Sequence, residues 1–434
     1  MKQNTVARAA TGAALLCLFS TTIASGAGFA LYEGSAAGNA DAAGVTAKGG
    51  EPGAIFFNPA GITTLPGTQV QMGVSVVAPH ATVEGVNPYT GEKYSEDGRN
   101  RVWPLPHAYV THQLNDDFWL GFGMYTRFGL GAEFDDVWFG RYNNIYAKIV
   151  TFNLNPVVAW KATDNLSLSA GLSVQYFDIT MKQLIDAAGI AGLRKYNDPS
   201  PSPYDVFQEM NGDDVGFGFD LGIMYQATEK LNIGAAYHSR IEQECEGDVK
   251  YTKPAAVAAM APAFFNDTGI KGDVTLPDFV MTAITYDITG KLTAGLGVTY
   301  THWSTYDELV IRFDDPILPG KSEAASDKDW DNCFRYTGGL SYELNEAITL
   351  RASYTYDESP LQAETADYLV PAHDRHIMAV GCGYKTGDWV FDGSYFFEII
   401  EDMDAPAHVA SGVMPSEFTD GYAHCFGFSA TRKF

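Results

Sequence analysis

Apolar and polar residues alternate along most of this chain from Thr68 onward. In "TQVQMGVSVVA", Val70, Met72, Val74 and Val76 fall on one face and Gln69, Gln71, Gly73 and Ser75 on the other. That period of two predicts a strand. It returns in "NLSLSAGLSVQYFDI", "GDDVGFGFDLGIMY", "KLTAGLGVTYTHW", "AITLRASYTYD" and "GYAHCFGFSATRKF". The second face holds Gly, Ser, Thr, Asn or a charge each time, which suits a wet or packed lumen better than a sandwich core. Strands are expected near residues 68–80, 101–114, 117–127, 146–161, 165–180, 214–226, 231–250, 272–287, 291–313, 330–343, 346–357, 374–385, 388–402 and 418–434, an even count of about fourteen.

An aromatic on the apolar face precedes a short polar turn five times, at Trp160, Tyr225, Tyr286, Tyr342 and Tyr384. Aromatics at one height beside tight turns are what a lipid–water interface selects. The connections on the other side are long, near residues 84–100, 128–145, 181–212, 251–271, 314–329, 358–373 and 401–417. Together these features predict an all-β transmembrane antiparallel barrel. Arg432, two residues from the end of the last expected strand, departs from the apolar pattern unless it snorkels to the interface.

Composition and the first residues set the compartment. Lys2 and Arg8 precede a short apolar run, Ala13 to Ile23, and then Ala24-Ser25-Gly26-Ala27. This reads as a secretory signal peptide over residues 1–27, too short in its apolar part to span a bilayer. The formal net charge of -25 argues against nucleic acid as a partner, because nothing would neutralise phosphates. The location expected is the outer membrane of a Gram-negative bacterium, with membrane lipid and lipopolysaccharide as neighbours and a monomer as the working unit.

Residues 28–67 are rich in Gly, Ala and turn signals, and precede a barrel, expected over 68–434, whose lumen is too wide for wall side chains to fill. An N-terminal plug, or hatch, would close it. In "AIFFNPAGIT", Pro59 steers Asn58 toward extended geometry, so Asn58-Pro59-Ala60 marks a sharp reversal where the hatch hands over to the first strand.

"GFALYEGSAAGNADAAG" followed by "AIFFNPAGIT", then "RFGLGAEFDD…WFGRY", "TFNLNPVVAWKATDNLSLSAGLSVQY", "LPDFVMTAITYDITGKL", "WSTYDELVIRF" and "LRASYTYDESP…VPAHDRH", resemble the FadL-type long-chain fatty acid outer-membrane transporters from about Gly28 to Phe434. The resemblance implies a fourteen-stranded barrel and a hatch carrying the Asn-Pro-Ala turn. It also implies binding of fatty acids or other hydrophobic compounds, with sideways release through a kink in the third strand. In "DDFWLGFGMYTRFGLG" it makes Gly121, Gly123 and Gly129 the candidates for that kink, since glycine inside a strand permits a bulge or bend. The lysine that holds a carboxylate near the tenth strand in the family falls at Asp331 of "KDWDNCFR". That substitution favours a neutral ligand.

Two loop segments are candidates for an apolar capture groove. In "MKQLIDAAGIAGL", Leu184, Ala188 and Ala191 recur at helical spacing beside Ile185; in "KPAAVAAMAPAFF", Val257, Met260, Phe264 and Phe265 form an exposed apolar set. The same residues would also serve as a lid packed on itself. Arg240, Arg335 and Arg351 share lumen-facing parity with small polar residues, and an arginine binds a carboxylate bidentately. Pairing with lumen acids such as Asp220, Asp357 and Asp392 is the plainer role.

Nothing in the chain has the context of an enzyme. The histidines are scattered, the nearest cluster being His373 and His376 of "HDRH", and no cysteine-pair spacing supports a metal site. No cofactor and no disulfide are expected, with Cys382 facing lipid and Cys425 the lumen. The function expected is passive uptake of a hydrophobic small molecule. A general aqueous porin with a mobile plug is the alternative, and a secreted β protein a distant third.

Overall fold

The computed structural model describes residues 28–370 and 373–434; the leader expected over 1–27 lies outside them. Fourteen antiparallel strands form one closed ring. They are β1 Thr68–Val86, β2 Trp103–Gln113, β3 Phe118–Tyr125 resuming as Gly129–Glu133, β4 Tyr146–Thr163, β5 Leu166–Asp186, β6 Asp205–Gln226 and β7 Leu231–His238 with Ile241–Thr252. The ring continues with β8 Thr268–Leu276 and Phe279–Asp287, β9 Leu292–Thr301 and Glu308–Phe313, β10 Cys333–Glu343, β11 Ile348–Asp357, β12 Arg375–Thr386, β13 Trp389–Ile400 and β14 Ser416–Lys433. β1 closes on β14, with Val70 opposite Arg432 and Val76 opposite Phe426. Each of the fourteen wall strands is paired on both sides, save along the seam between β2 and the upper half of β3, and a bilayer demands such closure because lipid offers no hydrogen bonds.

Burial is inverted relative to a water-soluble barrel. Gln71 is 0% exposed and Phe217 is 65% exposed, and the contrast runs along every wall strand: Gln69, Ser75, Asn153 and Gln175 are buried while Met72, Leu172 and Leu296 are bare. The five turn-side aromatics, Trp160, Tyr225, Tyr286, Tyr342 and Tyr384, all lie exposed on the outer surface. The strands rise further on the long-loop side than alternation alone indicates. β5 and β6 stay paired to their tips, with Leu184 opposite Phe207 and Ile185 opposite Val206, so the loop expected over 181–212 shrinks to residues 187–204. Leu184 and Ile185 are therefore strand residues and not part of a helix. Only Ala187–Ile190 is helical there, because pairing of "MKQLID" with "DVFQEM" outweighs a coincidental helical spacing.

The lumen is filled by residues 28–67. Three short helices, α1 Ala36–Ala40, α2 Ala42–Lys48 and α3 Ala54–Phe57, lead into a 3-10 turn at Pro59–Thr64. Ser35 and Asp41 cap α1 and α2 by accepting from Gly38 N and Gly44 N. The alanines are small for a reason. Ala36, Ala40, Ala43, Ala47 and Ala54 are buried against the wall, whose own lumen-facing glycines admit them. A Cβ on Gly234 would meet Thr46 O at 2.1 Å, so the hatch backbone rests directly on the wall there.

Candidate ligand path and wall opening

β3 breaks at Thr126-Arg127-Phe128. Register against β4 locates the cause. Tyr125 stands opposite Asn153 and Gly129 opposite Val150, so three residues of β3 face two of β4, Thr151 and Phe152. One surplus residue makes the strand bulge. Past the break, Gly129–Glu133 pairs with β4 alone, and Trp103–His107 of β2 pairs with β1 alone. The barrel wall is thus unzipped between β2 and the upper half of β3. Gly121 and Gly123 are not at the interruption: each is paired with β2 and with β4, and their missing side chains make room for Ile55 and Ile62 of the hatch. Gly129 is the first residue beyond it.

The severed ladder is re-satisfied from two directions. Thr151 Oγ1 donates to Phe128 O at 2.8 Å and accepts from Phe128 N at 3.2 Å, and Thr126 Oγ1 donates to Thr151 O. The N-terminal segment supplies the rest. Leu31 N donates to Arg127 O at 2.7 Å and Gly129 N to Phe29 O at 2.9 Å. Leu31 belongs to one buried apolar cluster with Trp103 and Leu105 of β2 and Val150 of β4, the strands flanking the break. Arg127 itself is buried, stacks over Phe56, Tyr125 and Phe279, and donates to Phe56 O and the Tyr125 hydroxyl.

Beside this break lies a small apolar cavity of about 20 Å³, lined among others by Phe29, Leu130, Ile149, Met181, Trp330 and Leu361. Its floor is an aromatic cage: Phe29 meets Phe128, Trp303, Tyr306 and Trp330 with ring centroids 4.8–6.2 Å apart. Three charged groups line it: Lys148, paired with Asp178 at 3.3 Å, and the pair Lys328 and Asp367. Lys328 Nζ lies 2.5 Å from Asp367 Oδ2, both nearly buried. Burial pulls the Lys328 ammonium down, but Asp367 and Tyr306 more than offset it, and its pKa is raised above the ordinary lysine value. A lysine thus stands at the cavity three residues before Asp331, the position expected to lack one. Lys328 and Trp330 are buried just before β10 begins, while Asp331 is exposed and accepts from Gln362.

A wider crevice, of about 270 Å³, opens toward the long loops and shares Met181, Leu309, Lys328, Asp367 and Leu369 with the cavity. Leu184 and Ile185 stand on its wall. Ile185 also joins Val206, Val257, Phe264 and Phe265 in one small core, so the two loop segments pack together. Val257 and Phe265 are buried there and do not form an exposed set; Phe264 is half-buried and Met260 is bare. A separate cleft, lined by residues including Pro79, Arg99, Gly131, Phe134, Arg375 and Glu398, lies at the upper end of the unzipped seam.

The three arginines divide. Arg335 bonds Asp357 at 2.5 Å and lies over the Tyr32 ring; Arg351 bonds Asp392 at 2.8 Å. Arg240 faces outward, against expectation, and pairs with Asp278 at 2.9 Å. His238 and Ile241 are both lumen-facing, so the irregular pair Ser239-Arg240 between them flips the parity counted through it. Asn58 sits at the hatch-to-wall junction, where its Nδ2 donates to Thr46 O and to Ile223 O, and its Oδ1 accepts from Ala60 N. Pro59 opens the 3-10 turn and Ala60 is buried in it. Cys245, Cys333, Cys382 and Cys425 are free thiols, Cys382 exposed and Cys425 buried.

Comparison with known proteins agrees with this architecture. Residues 17–434 match the family described as outer membrane protein transport protein (OMPP1/FadL/TodX). Outer membrane protein P1 of Haemophilus influenzae is 30% identical over 336 residues, 71% of this chain and 69% of the relative. A long-chain fatty acid transport protein of Escherichia coli O6:H1 is 25% identical over 421 residues, 89% of this chain and 90% of its own. Among solved structures, a Pseudomonas aeruginosa FadL homologue superposes with a TM-score of 0.81 at 21% identity, covering 94% of this chain and all of that one. The P. putida toluene transporter TodX gives a TM-score of 0.69 at 15% identity, covering 91% and 98%.

Proposed function

Because this chain belongs to the outer membrane protein transport family (OMPP1/FadL/TodX) and forms an outer-membrane barrel of a Gram-negative bacterium, we propose that it carries hydrophobic small molecules inward and releases them sideways into the membrane. The ligand class is long-chain fatty acids or aromatic and aliphatic hydrocarbons, in keeping with what the named relatives are said to transport. A ligand enters the crevice walled by Leu184 and Ile185, descends into the cavity above Phe29, and leaves where β2 and β3 part. Every step keeps apolar surface out of water, which is worth about 25 cal/mol per Å². The Phe29–Leu31 segment acts as the gate, since it is bonded to the broken strand and also floors the cavity. No covalent step is involved.

The observation that carries this reading is the surplus residue at Thr126–Phe128, placed where cavity, N-terminal segment and unpaired seam meet. It also supplies the experiment. Deleting Arg127 removes one residue and leaves Thr126 opposite Phe152 and Phe128 opposite Thr151, in unbroken register with Asn153 and Val150. β3 then pairs with β2 along its full length and closes the seam. Ligand binding to the purified barrel is expected to persist while uptake falls at least about tenfold. Undiminished uptake in a folded deletion variant would falsify lateral release and send the ligand down past the hatch.

A further inference from the structure

We propose that His373, Asp374 and Glu401 form a binding site for a zinc-class divalent cation at the long-loop end of β12 and β13. Each offers one ligand atom, and these atoms lie within 4.8 Å of one another. His373 Nδ1 is buried and has no hydrogen-bond partner, an unusual state for a ring nitrogen at a protein surface. The carboxylates are already held by other groups. Asp374 accepts from the Tyr356 hydroxyl at 2.5 Å and from Ser359 N at 2.8 Å. Glu401 Oε1 accepts from His376 Nε2 at 2.9 Å, and His376 Nδ1 in turn accepts from the Tyr354 hydroxyl at 2.7 Å. Outer partners of this kind orient metal ligands. Backbone pairing fixes the two ends together, with Glu401 N donating to Asp374 O at 2.8 Å.

The donor chemistry selects the ion. One imidazole nitrogen with two carboxylates matches zinc-class cations, whereas calcium and magnesium take oxygen alone. Two carboxylates neutralise a dication, and the adjacent Arg375 lies 3.4 Å from Glu398. Zinc bonds of about 2.0–2.2 Å place tetrahedral donors roughly 3.3 Å apart, so the three atoms close in by at most about 1.5 Å. Glu401, 46% exposed in its side chain, has that freedom. Of the two histidines in "HDRH" only His373 ligates directly; His376 works through Glu401, which the sequence places 25 residues away.

The site stands at the end of the segment that lines the cavity with Leu361, Ala366, Leu369 and Val370. On the transport reading above, a bound cation fastens that segment and slows ligand exchange. The test uses the full, tag-free barrel in detergent, stripped with a chelator and titrated with Zn²⁺ by calorimetry. One Zn²⁺ per barrel is expected, with affinity lowered about tenfold or more in His373→Ala and in Glu401→Gln. Affinity should be unchanged in His112→Ala at the opposite end of the barrel. The heat-dependent shift in electrophoretic mobility verifies that each variant is folded. Absence of saturable Zn²⁺ uptake, or uptake indifferent to both substitutions, overturns the site whatever the protein transports. If Zn²⁺ binds and ligand exchange is equally fast with zinc or chelator, the fastening role is overturned.

Discussion

At the residue scale the charges that line the cavity are balanced by two ion pairs, Lys148 with Asp178 and Lys328 with Asp367. With Lys328 bonded to Asp367, the cavity presents no uncompensated charge, which suits a neutral ligand or one whose carboxylate can displace Asp367. Replacing Asp367→Asn frees the ammonium. A carboxylated apolar ligand should then bind about tenfold tighter, roughly 1.4 kcal/mol, while a hydrocarbon is unaffected. Trp330 lines the cavity and reports both through its fluorescence. The pH dependence follows from the same pair. Asp367 raises the Lys328 pKa against the pull of burial, so in the native protein the lysine stays charged through neutrality and its contribution disappears only as pH rises above the ordinary lysine range. Without Asp367, burial lowers that pKa, and the gained carboxylate affinity should be lost progressively as pH is raised. Residues whose role is set by their immediate neighbours were legible in the sequence. Asn58-Pro59 reads as a turn, and Arg432 rests over Trp389 and Phe434 as an interfacial arginine does. Lys328 was not, because its inward course depends on where β10 starts.

At the scale of the element, alternation revealed fourteen strands, since an apolar outer face and a small or polar inner face repeat in nearly every wall segment. It could not reveal the break in β3. The surplus residue exists only relative to β4, and register against a partner has no signature within "DDFWLGFGMYTRFGLG" itself. The same blindness misplaced Arg240 across the irregularity at Ser239-Arg240, and extended pairing at the β5–β6 tip overrode a helical spacing in the loop. The glycines of β3 have a different task from bending it. A Cβ at Gly121 or Gly123 would come within 2.9–3.0 Å of Ile55, Ile62 or Tyr125. Gly121→Val and Gly123→Val should therefore leave β3 paired and press on the hatch, at about 1–3 kcal/mol for each overpacked site. Faster proteolysis within residues 28–67, with unchanged heat-dependent mobility of the barrel, is the expected result. If the hatch stays as resistant as in the native protein, it yields more readily than this packing indicates.

At the scale of the whole molecule, two structures with different sources of stability share one lumen. The wall depends on its own ladder: β1 and β14 exchange hydrogen bonds along sixteen aligned positions, and Phe434 N donates to Thr68 O at 2.9 Å. The hatch depends on the wall, through Asn58 to Ile223 O, Lys48 to Asp287 at 2.8 Å, and Tyr32 to Thr301. Removing residues 28–67 therefore leaves the strand-to-strand ladder whole, which lipid requires, and frees only the groups at the break in β3 that bond Phe29 and Leu31, where water entering the emptied lumen can reach them. The lumen it bares is polar, with Gln69, Gln71, Ser75 and Asp392 already suited to water. In single-channel recordings the deletion should fold, insert and conduct ions steadily, and the intact protein should stay closed. It should also lose capture of apolar ligand, because Phe29 and the cage it completes with Trp303, Tyr306 and Trp330 go with the hatch. A folded deletion that remains electrically silent would mean that the long loops, and not residues 28–67, close this barrel.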